Sequence, residues 1–296
     1  YCAVLCYLFF MIDLHTHSTM SDGSLTPQEL ISYGSELGIK VMALTDHDTT
    51  DGLVAASDAA KNAGIIFIPG TELTISWPCG EFHLLGLGLN IGNISNRLND
   101  LTAALKKDRL QRNLQIIEKM QKDGFDVNYE EVASLAGTEC VGRPHFAQYF
   151  VSKGIVKNRQ QAFDRYIARG RPYYVEKSGC SLDEAIVAIK ESGGLPVLAH
   201  PLSLYVAWGK MQGTLAELKE RGIAGIEAWH PGAREADCRR LEALGKEMGF
   251  VVTAGSDFHG KAVRKDRFMG YTAGRIEIAD RFYFENLAPA LAKTDL

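Results

Sequence analysis

Asp13-Leu14-His15-Thr16-His17-Ser18-Thr19-Met20-Ser21-Asp22-Gly23 closes a short apolar run from Phe9 to Leu14 and reads as a strand that ends in a turn. Side chains on a strand alternate between faces, so His15 and His17 share one face while Asp22 comes from the loop that Gly23 closes. Two imidazoles can hold one metal ion, and a nearby carboxylate can reach a second. A histidine pair satisfied by its neighbours at a strand end is the competing account of this stretch taken alone.

With 296 residues, the chain suits one barrel or one large domain with a smaller insert. Its 46% hydrophobic content is that of a soluble globular protein, and its formal charge of -4 argues against a surface for long duplex nucleic acid while allowing a local basic pocket. Cys2, Cys6, Cys79, Cys140, Cys180 and Cys238 have neither metal nor disulfide spacing, so reduced thiols and a cytoplasmic location are expected. The apolar start through Ile12 is too short to span a bilayer and has no basic flank or clear cleavage site. Met11 is the expected natural start, with an upstream extension before it; a buried first strand with a frayed end is the alternative.

Beyond Gly23 a βα rhythm sets in. Thr26, Pro27 and Glu29 mark the start of a helix that ends at Gly38. A strand over 39–44 runs into Asp46-His47-Asp48, a helix over 52–63 stops at Gly64, and a strand over 65–69 leads to Gly70-Thr71-Glu72. Glu72 and His83 come together if the segments around Gly80 form a hairpin. The rhythm breaks at 90–99, and 101–122, 128–135, 145–153 and 158–169 are helical in pattern, which makes 99–168 a helical insert that brings Arg143 and His145 over the site. It resumes at 171–175. Strands over 195–199, 226–230 and 250–254 then alternate with helices over 181–192, 215–221 and 234–248, and a terminal helix is expected over 280–291. Such alternation, with polar residues at strand ends, predicts a parallel sheet or barrel whose site gathers on one face.

The eight histidines are His15, His17, His47, His83, His145, His200, His230 and His259, and each falls at a strand end or in a glycine- or proline-rich loop. Together with Asp22, Asp46, Glu72 and Asp257 in similar positions, they point to a multi-metal site.

HTHS and SDG in 15–23, LTDHDT with Gly52, GTE at 70–72, GRPH at 142–145, AHP at 199–201 and GSDFHG at 255–260 resemble the polymerase and histidinol phosphatase (PHP) family of phosphoesterases. The branch most resembled comprises 3',5'-nucleoside bisphosphate phosphatases and 5'-to-3' exoribonucleases. The resemblance implies an α/β fold, a distorted (β/α)7 TIM-like barrel over 11–98 and 169–296 with the helical domain 99–168 inserted. It implies three divalent ions, Mn2+ above Fe2+ or Zn2+. His15, His17, Glu72 and Asp257 would surround the first, Glu72 with His83 and His145 the second, and Asp22, His47 and His259 the third. A hydroxide bridging the first two ions would be the nucleophile.

Arg143 and Arg171 are the expected phosphate clamps, since a guanidinium grips phosphate through two parallel hydrogen bonds. His200 and His230, left over from the metal sets, are assigned to phosphate binding, protonation of the leaving oxygen or orientation of a ligand. Phe146, Tyr149 or Trp208 would stack a base; Lys106, Lys107, Arg109, Arg112, Lys119 and Lys122 either follow a short RNA or simply solvate a helix. The expected substrate is a small phosphorylated nucleotide or short single-stranded RNA, with neither a membrane nor an obligate protein partner. The alternatives are a phosphodiesterase for a cyclic phosphate, a histidinol-phosphate-like monoesterase, and a metal-binding module without turnover.

Overall fold

A computed structural model describes residues 10–136 and 140–293, so most of the apolar leader lies outside the described residues. β1 (Ile12–Asp13) is followed by α1 (Pro27–Glu36), where Thr26 accepts the Glu29 N–H and the Glu29 carboxylate accepts the Thr26 N–H at 2.8 Å. This reciprocal cap satisfies donors that the helix start would otherwise leave open. β2 (Val41–Leu44) is buried throughout, and α2 (Leu53–Ala63) stops at Gly64, whose φ of 66° a side chain would disfavour. β3 (Ile66–Ile75) continues beyond the expected Pro69 because Gly70 to Ile75 pair with β4 (Phe82–Leu87).

α3 (Asn96–Lys122), α4 (Tyr129–Ala136), α5 (Arg143–Ser152) and α6 (Arg159–Ala162) follow, α6 running on into a π-helical turn over Phe163–Ile167. The expected strand at 171–175 does not form: Arg171 and Tyr174 lie in turns, and Tyr173 is drawn into the helical core. α7 (Leu182–Glu191), β5 (Leu195–Leu198), α8 (Trp208–Arg221), β6 (Gly225–Trp229), α9 (Glu235–Glu247) and β7 (Val251–Ala254) complete the rhythm. The terminal helix is divided between a π-helical turn, Phe282–Leu287, and Ala288–Leu291.

The seven strands form one sheet in chain order. All neighbours are parallel except β4, which is antiparallel to both β3 and β5. Past the strand ends the first and last strands meet, with the His17 N–H on the Phe258 carbonyl at 2.9 Å. Asp13 fastens this seam by accepting the Ser256 N–H at 3.0 Å, the Ser256 hydroxyl at 2.5 Å and the Gly270 N–H at 2.8 Å. The result is a nearly closed α/β barrel, distorted from (β/α)7 regularity by one reversed strand.

Two hydrophobic clusters underlie this layout. The larger one takes in the strands and the helices around them, and also Leu98 and Leu105 of α3. The smaller runs from Ile116 and Met120 through Phe146 and Phe150 to Tyr173. α3 therefore serves both clusters, Leu98 and Leu105 packing in the larger one and Ile116 and Met120 in the smaller. Phe150 stacks with Tyr166 at 4.8 Å and with Tyr173 at 6.1 Å, those two rings lie 5.7 Å from each other, and Phe150 is wholly buried. Phe150→Ala is expected to cost about 3–5 kcal/mol, read in a urea titration as early unfolding of the helical cluster.

Candidate metal centre and its cleft

Parallel strands of a barrel end on one face, and β4, running the other way, begins there. The reversal is what brings His83 to the face reached by His15, His17, His47, His200 and His259. Glu72, wholly buried on β3, is the hub: Oε2 lies 3.3 Å from His15 Nε2, 3.3 Å from His17 Nε2 and 3.0 Å from His47 Nδ1. Its Oε1 lies 2.9 Å from His83 Nδ1 and 3.0 Å from His200 Nε2. Burial by itself would raise the Glu72 carboxyl, but the imidazoles of His47, His83 and His15 hold it well below the usual carboxylate range.

Asp257 Oδ1 stands 3.4 Å from His17 Nε2 and 3.7 Å from His15 Nε2, and its Oδ2 is 3.2 Å from His230 Nε2. Asp22 reaches His259 Nε2 at 3.1 Å. The turn that presents Asp22 is pinned by Asp46, which accepts the Ser18 N–H at 2.7 Å and the hydroxyls of Ser18 and Ser21 at 2.6 and 2.5 Å. Gly23 and Gly255 permit close backbone approach: a Cβ on Gly23 would lie 2.4 Å from the His17 carbonyl oxygen, and one on Gly255 2.2 Å from His15 Cβ. Of the five non-glycine residues with positive φ among the described residues, four belong here, namely Asp48, His200, Tyr205 and Asp257. Strained backbone gathers where side chains must be aimed.

The donors fit a metal. His15 Nε2, both His17 ring nitrogens, His47 Nδ1, His83 Nδ1 and Glu72 Oε2 are buried without a hydrogen-bond partner, a costly arrangement unless an ion completes it. Three groups of donors converge to within 4.8 Å: His17, Asp22, His47 and His259; His15, His17 and Asp257; His47, Glu72 and His83. Imidazole mixed with carboxylate suits manganese, iron or zinc.

His145 Nδ1 accepts the Gly142 N–H at 2.9 Å in the first turn of α5. His145 stands outside all three donor groups, and His200 occupies the place beside Glu72. Arg171 is exposed in a turn and is not among the residues that line the cleft. Arg143 does line the cleft, and donates to Glu81 Oε1 at 2.8 Å. Phe146 and Tyr149 are buried in the helical core and Trp208 packs against the barrel core; the aromatic residues lining the cleft are Tyr205 and Phe163.

The basic series on α3 divides. Lys106 pairs with Asp51 and Lys122 with Glu118 on the outside, while Arg109 and Arg112 turn into the cleft. Glu227 escaped the sequence reading although a carboxylate inside the apolar strand Ile226–Trp229 was the signal for it. It accepts His15 Nδ1–H at 2.9 Å on Oε1 and the His200 N–H at 2.9 Å on Oε2, which turns His15 Nε2 toward the donors. Asp48 and Lys177 were also missed. Asp48 accepts the Thr74 N–H at 2.8 Å and a guanidinium N–H of Arg109.

The barrel, the converging donors and the cleft define a metal-dependent hydrolase site. The chain belongs to the PHP domain family, which matches residues 13–176, and is a metal-dependent phosphoesterase. It is 35% identical over 247 residues to a 5'-3' exoribonuclease of Haemophilus influenzae, covering 83% of this chain and 89% of that one. It is 33% identical over 259 residues to the 3',5'-nucleoside bisphosphate phosphatase of Chromobacterium violaceum, covering 84% and 87%. The structure of an amidohydrolase from the same organism, with bound sulfate and no metal, superimposes with a TM-score of 0.83 at 29% identity over 96% of each chain.

Burial would raise the Asp48 carboxyl, but Arg109 and Lys177 bring it down to about 2. A carboxylate depressed on folding stabilises the fold above its ordinary value near 3.8 and loses that contribution as pH falls toward 2. Asp48→Asn is therefore expected to lower stability at neutral pH by about 2 kcal/mol, with the deficit shrinking between pH 4 and 2 when denaturant midpoints are compared.

Proposed function

We propose that this chain removes the 3'-phosphate from 3',5'-nucleoside bisphosphates, and that release of mononucleotides from short 5'-phosphorylated RNA is a related activity. The observation that carries the proposal is a cluster of unpartnered imidazole and carboxylate donors on the floor of a cleft of about 730 Å³ whose walls include Arg143, Arg159, Arg264 and Lys265. A floor that binds cations under a basic wall suits a substrate with more than one phosphate.

In this proposal three divalent ions, manganese foremost, are held by His15, His17, Glu72 and Asp257, by Glu72, His83 and His200, and by Asp22, His47 and His259. Their distances to shared carboxylates support these sets. When bound, such ions supply a water nucleophile near neutral pH and neutralise phosphoryl oxygens.

The protein's own part is to aim and to bind. Glu227 fixes the His15 ring, and Ser203 holds His200 through a 2.8 Å contact with Nδ1. His230 Nδ1 accepts the Gly232 N–H at 3.0 Å, which leaves its proton on Nε2, 3.2 Å from Asp257 Oδ2. There it steadies Asp257, and we assign that N–H to binding a phosphate oxygen. Arg143 grips a substrate phosphate. Tyr205, 79% exposed on the cleft rim, offers its face to the base.

No helix among the described residues is long and apolar enough to cross a membrane. A cytoplasmic site of action remains part of the proposal.

Phosphate release from adenosine 3',5'-bisphosphate should exceed that from adenosine 5'-monophosphate by at least about 100-fold in the manganese-loaded protein, and chelation should abolish it until manganese is returned. Faster turnover of a cyclic phosphate or of histidinol phosphate in the same panel would displace this substrate assignment. Tyr205→Ala is expected to raise KM for the bisphosphate about tenfold, in keeping with about 1–3 kcal/mol per stacked base, with kcat little changed; an unaltered KM would remove Tyr205 from the base site.

A further inference from the structure

We propose that Arg159 clasps the barrel loop 260–267 to the helical cluster across the cleft, and that this clasp selects substrate by length, enclosing a single nucleotide and parting for a polynucleotide. The proposal rests on the functional reading above for the two substrates it compares, a bisphosphate and a short RNA.

Arg159 opens α6, and its guanidinium reaches the barrel: Nη1 donates to the Val263 carbonyl, and Nη2 to the Ala262 carbonyl at 3.1 Å. Nη2 also donates to Gln148 Oε1 on α5 at 2.8 Å, and the Gln148 amide N–H is tied in turn to the Leu135 carbonyl at 3.2 Å. All of these acceptors are neutral. Both sides of the contact line the cleft, with Arg159 and Phe163 on one and Val263 and Lys265 on the other, so the clasp closes part of its wall.

Two other arginines cross from the helices to the barrel, and they are held differently. Arg109, on α3, meets the buried carboxylate of Asp48. Arg143 meets Glu81, with its guanidinium 5.7 Å from the ring of Tyr174, where the chain returns to the barrel. The Arg159 contact has no carboxylate and joins residues 104 positions apart. Water replaces a neutral carbonyl at small net cost, so this is the crossing that gives way most readily.

The loop holds its shape without the clasp. Gly260, at φ 88°, begins it, and the Gly260 carbonyl accepts the Val263 N–H at 3.1 Å and the Arg264 N–H at 2.9 Å. Its base is fixed by the buried Arg267, whose Nη1 lies 3.0 Å from Asp266 Oδ2. Lys261, Ala262 and Lys265 at the tip are exposed, and the tip's tie to the floor is Arg264, 3.6 Å from Asp257 Oδ2 and beyond hydrogen-bond length. A cleft of about 730 Å³ is of the size that encloses one small ligand, about 300–1,000 Å³ being usual. A nucleotide bisphosphate fits beneath the closed clasp, whereas an oligonucleotide has to leave through the wall. Only the longer substrate then bears the cost of opening, which lowers its apparent affinity by the fraction of molecules already open.

The test uses the full manganese-loaded chain and two variants. Gln148→Ala loosens the clasp and leaves every cation of the wall in place; Arg159→Ala removes the clasp, and circular dichroism checks that each variant is folded. Trypsin should cut after Lys261 or Lys265 faster in both variants than in the parent. The ratio of kcat/KM for a 5'-phosphorylated tetraadenylate to that for adenosine 3',5'-bisphosphate should rise about tenfold in Arg159→Ala, through faster cleavage of the RNA. In Gln148→Ala it should rise less, with the bisphosphate value retained. Calorimetric titration with a phosphorothioate-linked tetraadenylate, which resists hydrolysis, and with adenosine 5'-monophosphate should show the same change in relative affinity without turnover. An unchanged ratio in both variants would overturn the proposal, the strand then leaving by the open mouth of the cleft. A fall would overturn it too, making Arg159 a contact for RNA and not a bar to it, and so would a rise due only to slower bisphosphate cleavage. Loop cleavage no faster than in the parent would show that Arg159 does not hold the loop. Should Arg159→Ala fail to fold, Gln148→Ala decides alone; should the parent cleave neither substrate, the functional reading fails while the titration and the proteolysis still decide the clasp.

Discussion

One buried carboxylate organises this protein. Glu72 has no access to water and is surrounded by His15, His17, His47, His83 and His200, all within 3.3 Å of one or other of its oxygens. A lone carboxylate in such a place would shed its charge, and neutral imidazoles with buried lone pairs would be just as costly. Charge on the hub and cations around it make the arrangement tolerable together. The outer contacts, Glu227 on His15 and Ser203 on His200, follow from the same need, because a ring can serve the hub only when its other nitrogen is fixed.

The barrel's irregularity is tied to that hub. Had β4 been parallel to its neighbours, its residues near His83 would have ended at the opposite face. Reversal as a hairpin with β3 places His83 opposite Thr74, two residues from Glu72, and brings its ring to Glu72. It also leaves a long passage from β4 to β5, which the chain fills with helices that have a core of their own. These helices also reach the cleft: α3 delivers Arg109 and Arg112, and α5 delivers Arg143, to the wall beside the candidate metal donors.

Electrostatics separates floor from wall. Below, anionic carboxylates and imidazole lone pairs favour cations; above, guanidinium and ammonium groups favour anions. Phosphate oxygens are attracted by both layers once the floor is charged, which suits membership in a phosphoesterase family and gives the nucleotide proposal its physical basis.

Local pattern in the sequence determined a good deal. Hydrophobic runs ending in His, Asp or Glu marked six of the seven strands close to their positions, and the Thr26–Glu29 cap and Gly64 stop were legible because capping is decided within a few residues. The donors themselves were legible for a similar reason, since His15, His17, Glu72 and Asp257 sit where strands of a barrel must converge. Tertiary structure alone decided the pairings. The hydrogen bond made by His145 depends on a backbone N–H three residues away, the place of Arg171 away from the cleft on a turn where a strand was expected, and the recruitment of Glu227 and Arg112 on which face of β6 or α3 meets the cleft. A one-dimensional pattern carries the periodicity of an element but not the partner across from it, and for a charged side chain the partner settles whether it is solvated, satisfied or left waiting for a ligand.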